Sequence, residues 1–171
     1  MLNQHAVRHS IKVIKQQYNK PLVGVEIGTS YGCHAITLLK TLNIKHLYLV
    51  DPYKSYNNLT GVETMSFDEL YNYTKKRLSK FNKHTFVRKT SSDAVNDIPN
   101  KLDFVYIDGN HYYDFVKKDL EAYYPKVRVG GMICGHDFNI PDVAKAVTEF
   151  ATIKKVKVNQ KGLPGDWWFK K

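Results

Sequence analysis

The chain has 171 residues, 43% of them apolar and 25% charged, which suits one soluble globular domain spanning residues 1–171. Lysine and arginine outnumber the acids 26 to 16, and the formal charge of +10 makes nucleic acid a partner that the surface would attract. No apolar run nears the ~20 residues of a membrane span, the first ten residues lack a secretory leader, and two cysteines, Cys33 and Cys134, make neither a disulfide framework nor a zinc site, so the expected location is the cytoplasm with no membrane partner.

In chain order, Gln4 to Tyr18 reads as a helix, the main feature of an N-terminal segment 1–20, and Pro21 ends it. Leu22 to Ile27 is a strand whose next-to-last residue is Glu26, followed by a tight turn with glycines at Gly28 and Gly32. The spacing is E-x-G-x-x-x-G, neither the dinucleotide pattern G-x-G-x-x-G nor the phosphate loop. A pyrophosphate needs several backbone N–H groups aimed at it, whereas an acid at the strand end suits a ligand with a positive charge or a free ammonium group. A helix from Cys33 to Leu42 follows, striped by Ala35, Ile36, Leu38, Leu39 and Leu42. The second strand, His46 to Val50, ends in Asp51, a place where a carboxylate commonly accepts hydrogen bonds from a ribose diol. Together these features fit a nucleoside with an amino-acid tail.

Residues 52–65 form a turn-rich loop of lid-like length. Ser66, with Glu69 three residues on, opens a helix to about Phe81. The third strand is His84 to Lys89, and Ser91 to Ala94 is a loop and helix cap. Leu102 to Ile107 is an almost continuous apolar run, as in a strand buried on both faces. A helix spans Tyr112 to Tyr124, Gly130-Gly131 is a turn, Met132 to Gly135 is the fifth strand, and Pro141 opens a helix to about Phe150. Two short β-like runs, Lys155 to Val158 and Trp167 to Phe169, are joined by a turn-rich link from Lys161 to Gly165. The order predicts an α/β fold: a doubly wound, mostly parallel seven-stranded sheet with a C-terminal antiparallel hairpin.

The E-x-G-x-x-x-G turn with its downstream Asp51 resembles the class I S-adenosylmethionine-dependent methyltransferases, which have a Rossmann-like sheet. The run Asp108-Gly109-Asn110-His111-Tyr112-Tyr113, continuing to Val116, Asp119 and Leu120, and Gly130-Gly131 leading to His136-Asp137-Phe138, narrow the resemblance. One branch of that family carries D-G-x-H-x-Y-x-x-V-x-x-D-L after strand four and G-G-x-x-x-x-H-D followed by Y or F at strand five. The likeness covers roughly residues 22 to 150. It implies S-adenosylmethionine as cofactor, held by Glu26, Gly28, Thr29, Ser30, Gly32, Asp51 and Asp108, with Ser92 beside the adenine.

Asp108 and Asp137 end adjacent strands at the expected crevice, and His111 starts the helix after strand four. Methyl transfer to a hydroxyl needs in-line alignment and removal of a proton, so His111 is the candidate base and Asp108 its catalytic neighbour. Two close carboxylates, Asp108 and Asp137, also suit a divalent cation such as Mg2+. That layout is similar to the metal-dependent catechol and sugar O-methyltransferases. The chain departs from them at His136-Asp137-Phe138, where they carry paired oxygen ligands. It has neither the Asn/Asp-Pro-Pro-Tyr run of amino-group methylation nor the Pro-Cys of cytosine C5 methylation. The expected acceptor is therefore a hydroxyl of a small molecule or sugar. It would be held by the 52–65 loop, the N-terminal helix, or a second subunit of a homo-oligomer. The alternatives are a non-catalytic S-adenosylmethionine-binding or nucleic-acid-associated module, an RNA ribose methyltransferase, and an aminopropyltransferase, whose acidic polyamine site is not visible in the sequence.

Overall fold

The computed structural model describes residues 7–54 and 65–171. Gln4 to Ala6 of the expected first helix, and most of the expected 52–65 lid, lie outside the described residues. In chain order the elements are α1 (His9–Gln17), β1 (Leu22–Ile27), α2 (Cys33–Thr41), β2 (Ile44–Val50), α3 (Phe67–Leu78), β3 (His84–Val87) and α4 (Ser91–Ala94). They continue with β4 (Leu102–Ile107), α5 (Tyr113–Tyr123), β5 (Val127–Gly135), α6 (Pro141–Lys154), β6 (Asn159–Lys161) and β7 (Asp166–Lys170).

Alternation along the strands divides the core in two. Val25, Ile27, Val105, Ile107 and Ile133 point to the face covered by α4, α5 and α6. Leu22, Leu47, Leu49, Phe104, Tyr106 and Met132 point to the face covered by α1, α2 and α3. Every residue of β4 is consequently buried, as its apolar run predicts. Among the described residues the sheet has seven strands in the order β3-β2-β1-β4-β5-β7-β6, doubly wound from β1 and β4 outward. β1 to β5 pair in parallel, and β7 runs antiparallel to both β5 and β6. The strand order reverses between β1 and β4, and a crevice opens there at their carboxyl ends.

Local chemistry explains most boundaries. Ser66 Oγ accepts from the Glu69 N–H while Glu69 accepts from the Ser66 N–H, the capping box expected for α3. Pro141 occupies the first turn of α6. Thr90, rather than the serines after it, caps α4, which Ser91 to Ala94 themselves form. Two expectations need correction. Gly130-Gly131 is not a turn before β5 but lies inside it: Gly130 takes φ +72 in a bulge, so Leu102 pairs with Val127 while Phe104 pairs with Met132. The run Lys155 to Val158 is not a strand, because α6 continues to Lys154 and ends at Lys155 in the left-handed conformation. Pairing with β7 begins only at Asn159, opposite Trp168.

Candidate active site

The crevice is built by turns that lock onto one another. Gly28 has φ +88, and a Cβ there would lie 2.1 Å from the Asp108 carbonyl oxygen, so only glycine lets the turn after β1 approach the end of β4. The Gly28 N–H donates to Val50 O (2.9 Å) and the Asp108 N–H to Ile27 O (2.8 Å). Asp51 then clamps two turns at once. Its Oδ2 accepts from the Ser30 N–H and its Oδ1 from the Tyr53 N–H, both at 2.8 Å. Ser30 and Tyr53 each adopt φ +46, a costly conformation outside glycine. The Tyr53 hydroxyl (3.0 Å) and the Thr74 hydroxyl (2.8 Å) hold it by donating to Ser30 O. Burial pushes the Asp51 carboxyl above its ordinary range, and the hydrogen bonds from the Ser30 and Tyr53 amides oppose the rise.

A cavity of about 550 Å³ opens beside this clamp, within the size range of small-molecule sites. Of the expected cofactor residues, Gly28, Ser30, Asp51 and Asp108 line it. Gly32 stands behind it as the N-cap of α2, and Ser92 is exposed beside Ser91, which does line the cavity. Glu26 and Thr29 are buried under the turn. Glu26 Oε1 lies 2.7 Å from His34 Nδ1. Burial, reinforced by nearby Asp108, raises Glu26, and burial lowers His34, so the site disfavours charge on both partners. Glu26 Oε2 and Thr29 Oγ1 make no hydrogen bond of normal geometry among the described residues.

Asp119 of α5 lines the far end of the cavity and is 4% exposed. Burial pushes its carboxyl up to about 7, against a weaker pull from the Ser91 hydroxyl. The folded state therefore holds a proton that the unfolded chain releases near pH 4. This group's support for the fold is full below that pH, declines as pH rises, and is lost above about 7. Asp119→Asn should remove the decline and stabilise the protein at pH 8 by a few kcal/mol at most, since one pKa unit is worth ~1.4 kcal/mol. Urea titrations of both proteins at pH 5 and pH 8 would check it, and parallel pH dependences would count against the assignment.

At the rim, the end of β4 meets the end of β5. His111 stands two residues ahead of α5 rather than starting it. Its Nε2 lies 3.0 Å from Asp137 Oδ2 and 4.0 Å from Asp108 Oδ1. Asp137 has φ +58, strained for a non-glycine residue, and His136 Nδ1 is 3.1 Å from its Oδ1. The His136 carbonyl accepts from the Trp167 indole N–H at 3.1 Å, which ties this corner to β7. Arg8, the N-cap of α1, donates from Nη1 to Asp108 Oδ2 and to the Tyr106 hydroxyl, both at 2.7 Å. Burial would raise Asp108, but His111 and Arg8 outweigh it and the carboxyl stays ionised below its usual range. The carboxylates of Asp108 and Asp137 hold His111 above the ordinary histidine value against the effect of burial. Asp108, His111 and Asp137 can bring one ligand atom each within 4.8 Å of one another.

Arg8 and Tyr106 carry no signal in the sequence, since their partners are remote, whereas His34 lies only eight positions from Glu26, across the glycine turn. Tyr53 was missed too, although a signal exists: an aspartate two residues ahead of it can accept its N–H in an Asx turn.

A family model described as a methyltransferase domain matches residues 25–138. An uncharacterized protein of Acanthamoeba polyphaga mimivirus is 29% identical over 159 residues, which span 85% of this chain and 66% of that protein, just under two thirds of its length. A provisionally assigned caffeoyl-CoA O-methyltransferase from Staphylococcus aureus superposes with a TM-score of 0.69 at 17% identity, over 97% of this chain and 85% of that one. An rRNA methylase from Streptococcus thermophilus does so with a TM-score of 0.68 at 12% identity, over 95% and 93% of the two chains. At such identities the two structural likenesses speak to the fold alone.

Proposed function

This chain belongs to the methyltransferase-domain family, and from that premise we propose that it transfers a methyl group from S-adenosylmethionine, the family's cofactor, to a hydroxyl oxygen of a small molecule or sugar. One juxtaposition carries the reading: the Asp51 clamp and His111, which Asp137 pairs from behind at 3.0 Å, face one cavity, at the reversal point of the sheet.

The residues present fit the cofactor. Asp51 spends one lone pair of each oxygen on a backbone N–H and keeps others for the two hydroxyls of a ribose. The cavity runs from there past Gly28, where no side chain fills the space, to Asp108 and His111. Ser91 and Ser92 stand on the adenine side, and Glu26, Thr29 and Gly32 shape the turn from behind. S-adenosylmethionine, when bound, supplies an electrophilic methyl on a sulfonium. His111 accepts the hydroxyl proton in its neutral form, and Asp137 and Asp108 orient the ring and stabilise its charge once protonated. Tyr112 and Phe115 line the cavity beside His111 and offer apolar surface to an acceptor.

Asp51→Ala should weaken S-adenosylmethionine binding by ~1–3 kcal/mol, the range for a buried hydrogen-bonding group removed from its partners. Calorimetry giving an unchanged affinity would take Asp51 out of the site. Turnover is tested with methyl-labelled S-adenosylmethionine and a metabolite extract, followed by separation of small-molecule and RNA fractions. Label in the small-molecule fraction is the expected result. The charge of +10 favours a second reading, a ribose hydroxyl of RNA, and label in the RNA fraction would establish it instead. Tight cofactor binding without turnover on either fraction would leave a non-catalytic module.

A further inference from the structure

Similarity to the metal-dependent O-methyltransferases raises the question of what charge stands beside Asp108 and Asp137. The donor set does not fit a magnesium ion. Mg2+ demands near-octahedral oxygen coordination and binds through carboxylates free to give it lone pairs. Here the carboxylate oxygens already face nitrogen groups of the chain itself. Asp108 Oδ2 meets Arg8 Nη1 at 2.7 Å, and Asp108 Oδ1 faces His111 Nε2 at 4.0 Å. Asp137 Oδ2 meets His111 Nε2 at 3.0 Å, and Asp137 Oδ1 meets His136 Nδ1 at 3.1 Å.

Arg8 is no loose surface arginine. Its guanidinium donates to the Tyr106 hydroxyl, which in turn donates to Asp166 Oδ1 at 2.9 Å. Asp166 Oδ2 accepts from both the N–H and the hydroxyl of Ser10 at 2.8 Å, two residues beyond Arg8. Tyr106, Asp166 and Ser10 are all buried. The arginine is thus fixed at its root by Ser10 and at its tip by Tyr106, and its charge is permanent.

We propose that Arg8 is the resident counter-cation of this site. It takes the place of a divalent ion, so that the chain binds a metal at Asp108 and Asp137 only when the guanidinium is removed. Arg8 is a positioning residue in this role: it neutralises Asp108 and turns the other carboxylate oxygen toward His111. The inference concerns the same site as the methyl-transfer reading and rests on it for its purpose, but its test needs no turnover.

The test is a titration of the full chain with Mn2+, a paramagnetic stand-in for Mg2+, with free ion counted by electron paramagnetic resonance. Wild type should bind no Mn2+ tighter than millimolar. Arg8→Met, nearly isosteric along the stem, should gain one site at least tenfold tighter, and Arg8→Met combined with Asp137→Asn should lose it again. A sub-millimolar site in wild type that Asp137→Asn abolishes would overturn the proposal, and that arm needs no Arg8 variant to fold. So would a folded Arg8→Met protein, judged by circular dichroism, that gains no site. Calorimetry with S-adenosylmethionine on the same wild-type sample keeps the two readings apart: cofactor binding with a native metal site defeats only the role of Arg8.

Discussion

His111→Ala should lower turnover by roughly 10²–10⁴-fold, the contribution of a positioned general base, and leave S-adenosylmethionine affinity within about twofold of wild type. The asymmetry follows from position: His111 stands at the rim with 43% of its side chain exposed, whereas the Asp51 clamp lies at the other side of the cavity. The pH profile carries a second signature. Only the neutral imidazole accepts a proton, and the carboxylates of Asp108 and Asp137 favour the protonated ring, so the rate rises with pH through an inflection above the ordinary histidine value. Asp137→Asn removes one of those carboxylates and moves the inflection to lower pH. Initial rates from pH 5.5 to 9 on both proteins would show it. Undiminished turnover in His111→Ala, with a flat profile, would reduce the site to positioning alone. With Arg8 as the resident cation, a chelator should leave wild-type rates unchanged.

The second large effect lies away from the cavity. Trp167→Ala costs ~3–5 kcal/mol of stability, the usual loss for a large aromatic cut from a core. Trp167 is fully buried, stacks on Phe169 with ring centroids 6.1 Å apart, and fills the space that Gly135 leaves open on β5. Its removal leaves a void and strips the His136 carbonyl of its indole donor. That is a large share of a typical total of ~5–15 kcal/mol. Trp167→Phe, which keeps most of the ring volume but not the N–H, should lose less stability yet still loosen the His136–Asp137 corner and slow turnover. Urea midpoints rank the three proteins, and equal midpoints for wild type and Trp167→Ala would show that β7 is peripheral to the fold.

What was legible in the sequence was what is local. The apolar run of β4, the glycine turn after β1, Asp51 at the end of β2 and the capping box of α3 each depend on residues within a few positions of one another, and each stands where the pattern put it. His111 could be brought near Asp108 from spacing, and near Asp137 from the parallel pairing of β4 and β5. The misread segments had an ambiguous local code. Two adjacent glycines serve a bulge as readily as a turn, and the alternation of Lys155 to Val158 resembles a strand although α6 overruns its start. Arg8, Tyr106 and Asp166 were invisible for a different reason. Arg8 is 98 positions from Tyr106, and Tyr106 is 60 from Asp166; no periodicity encodes such a meeting.

The bond between Ser10 and Asp166 spans 156 positions, and this has a bearing on when the site comes into being during synthesis. The groups that hold Asp51 and Ser30 are complete once Thr74 of α3 and Val87 of β3 have been made, about halfway along the chain and before Asp108 exists. The guanidinium beside Asp108 cannot be secured until β7 has emerged and slotted between β5 and β6. A growing chain therefore acquires the turn at Asp51 before it acquires the ion pair at Asp108.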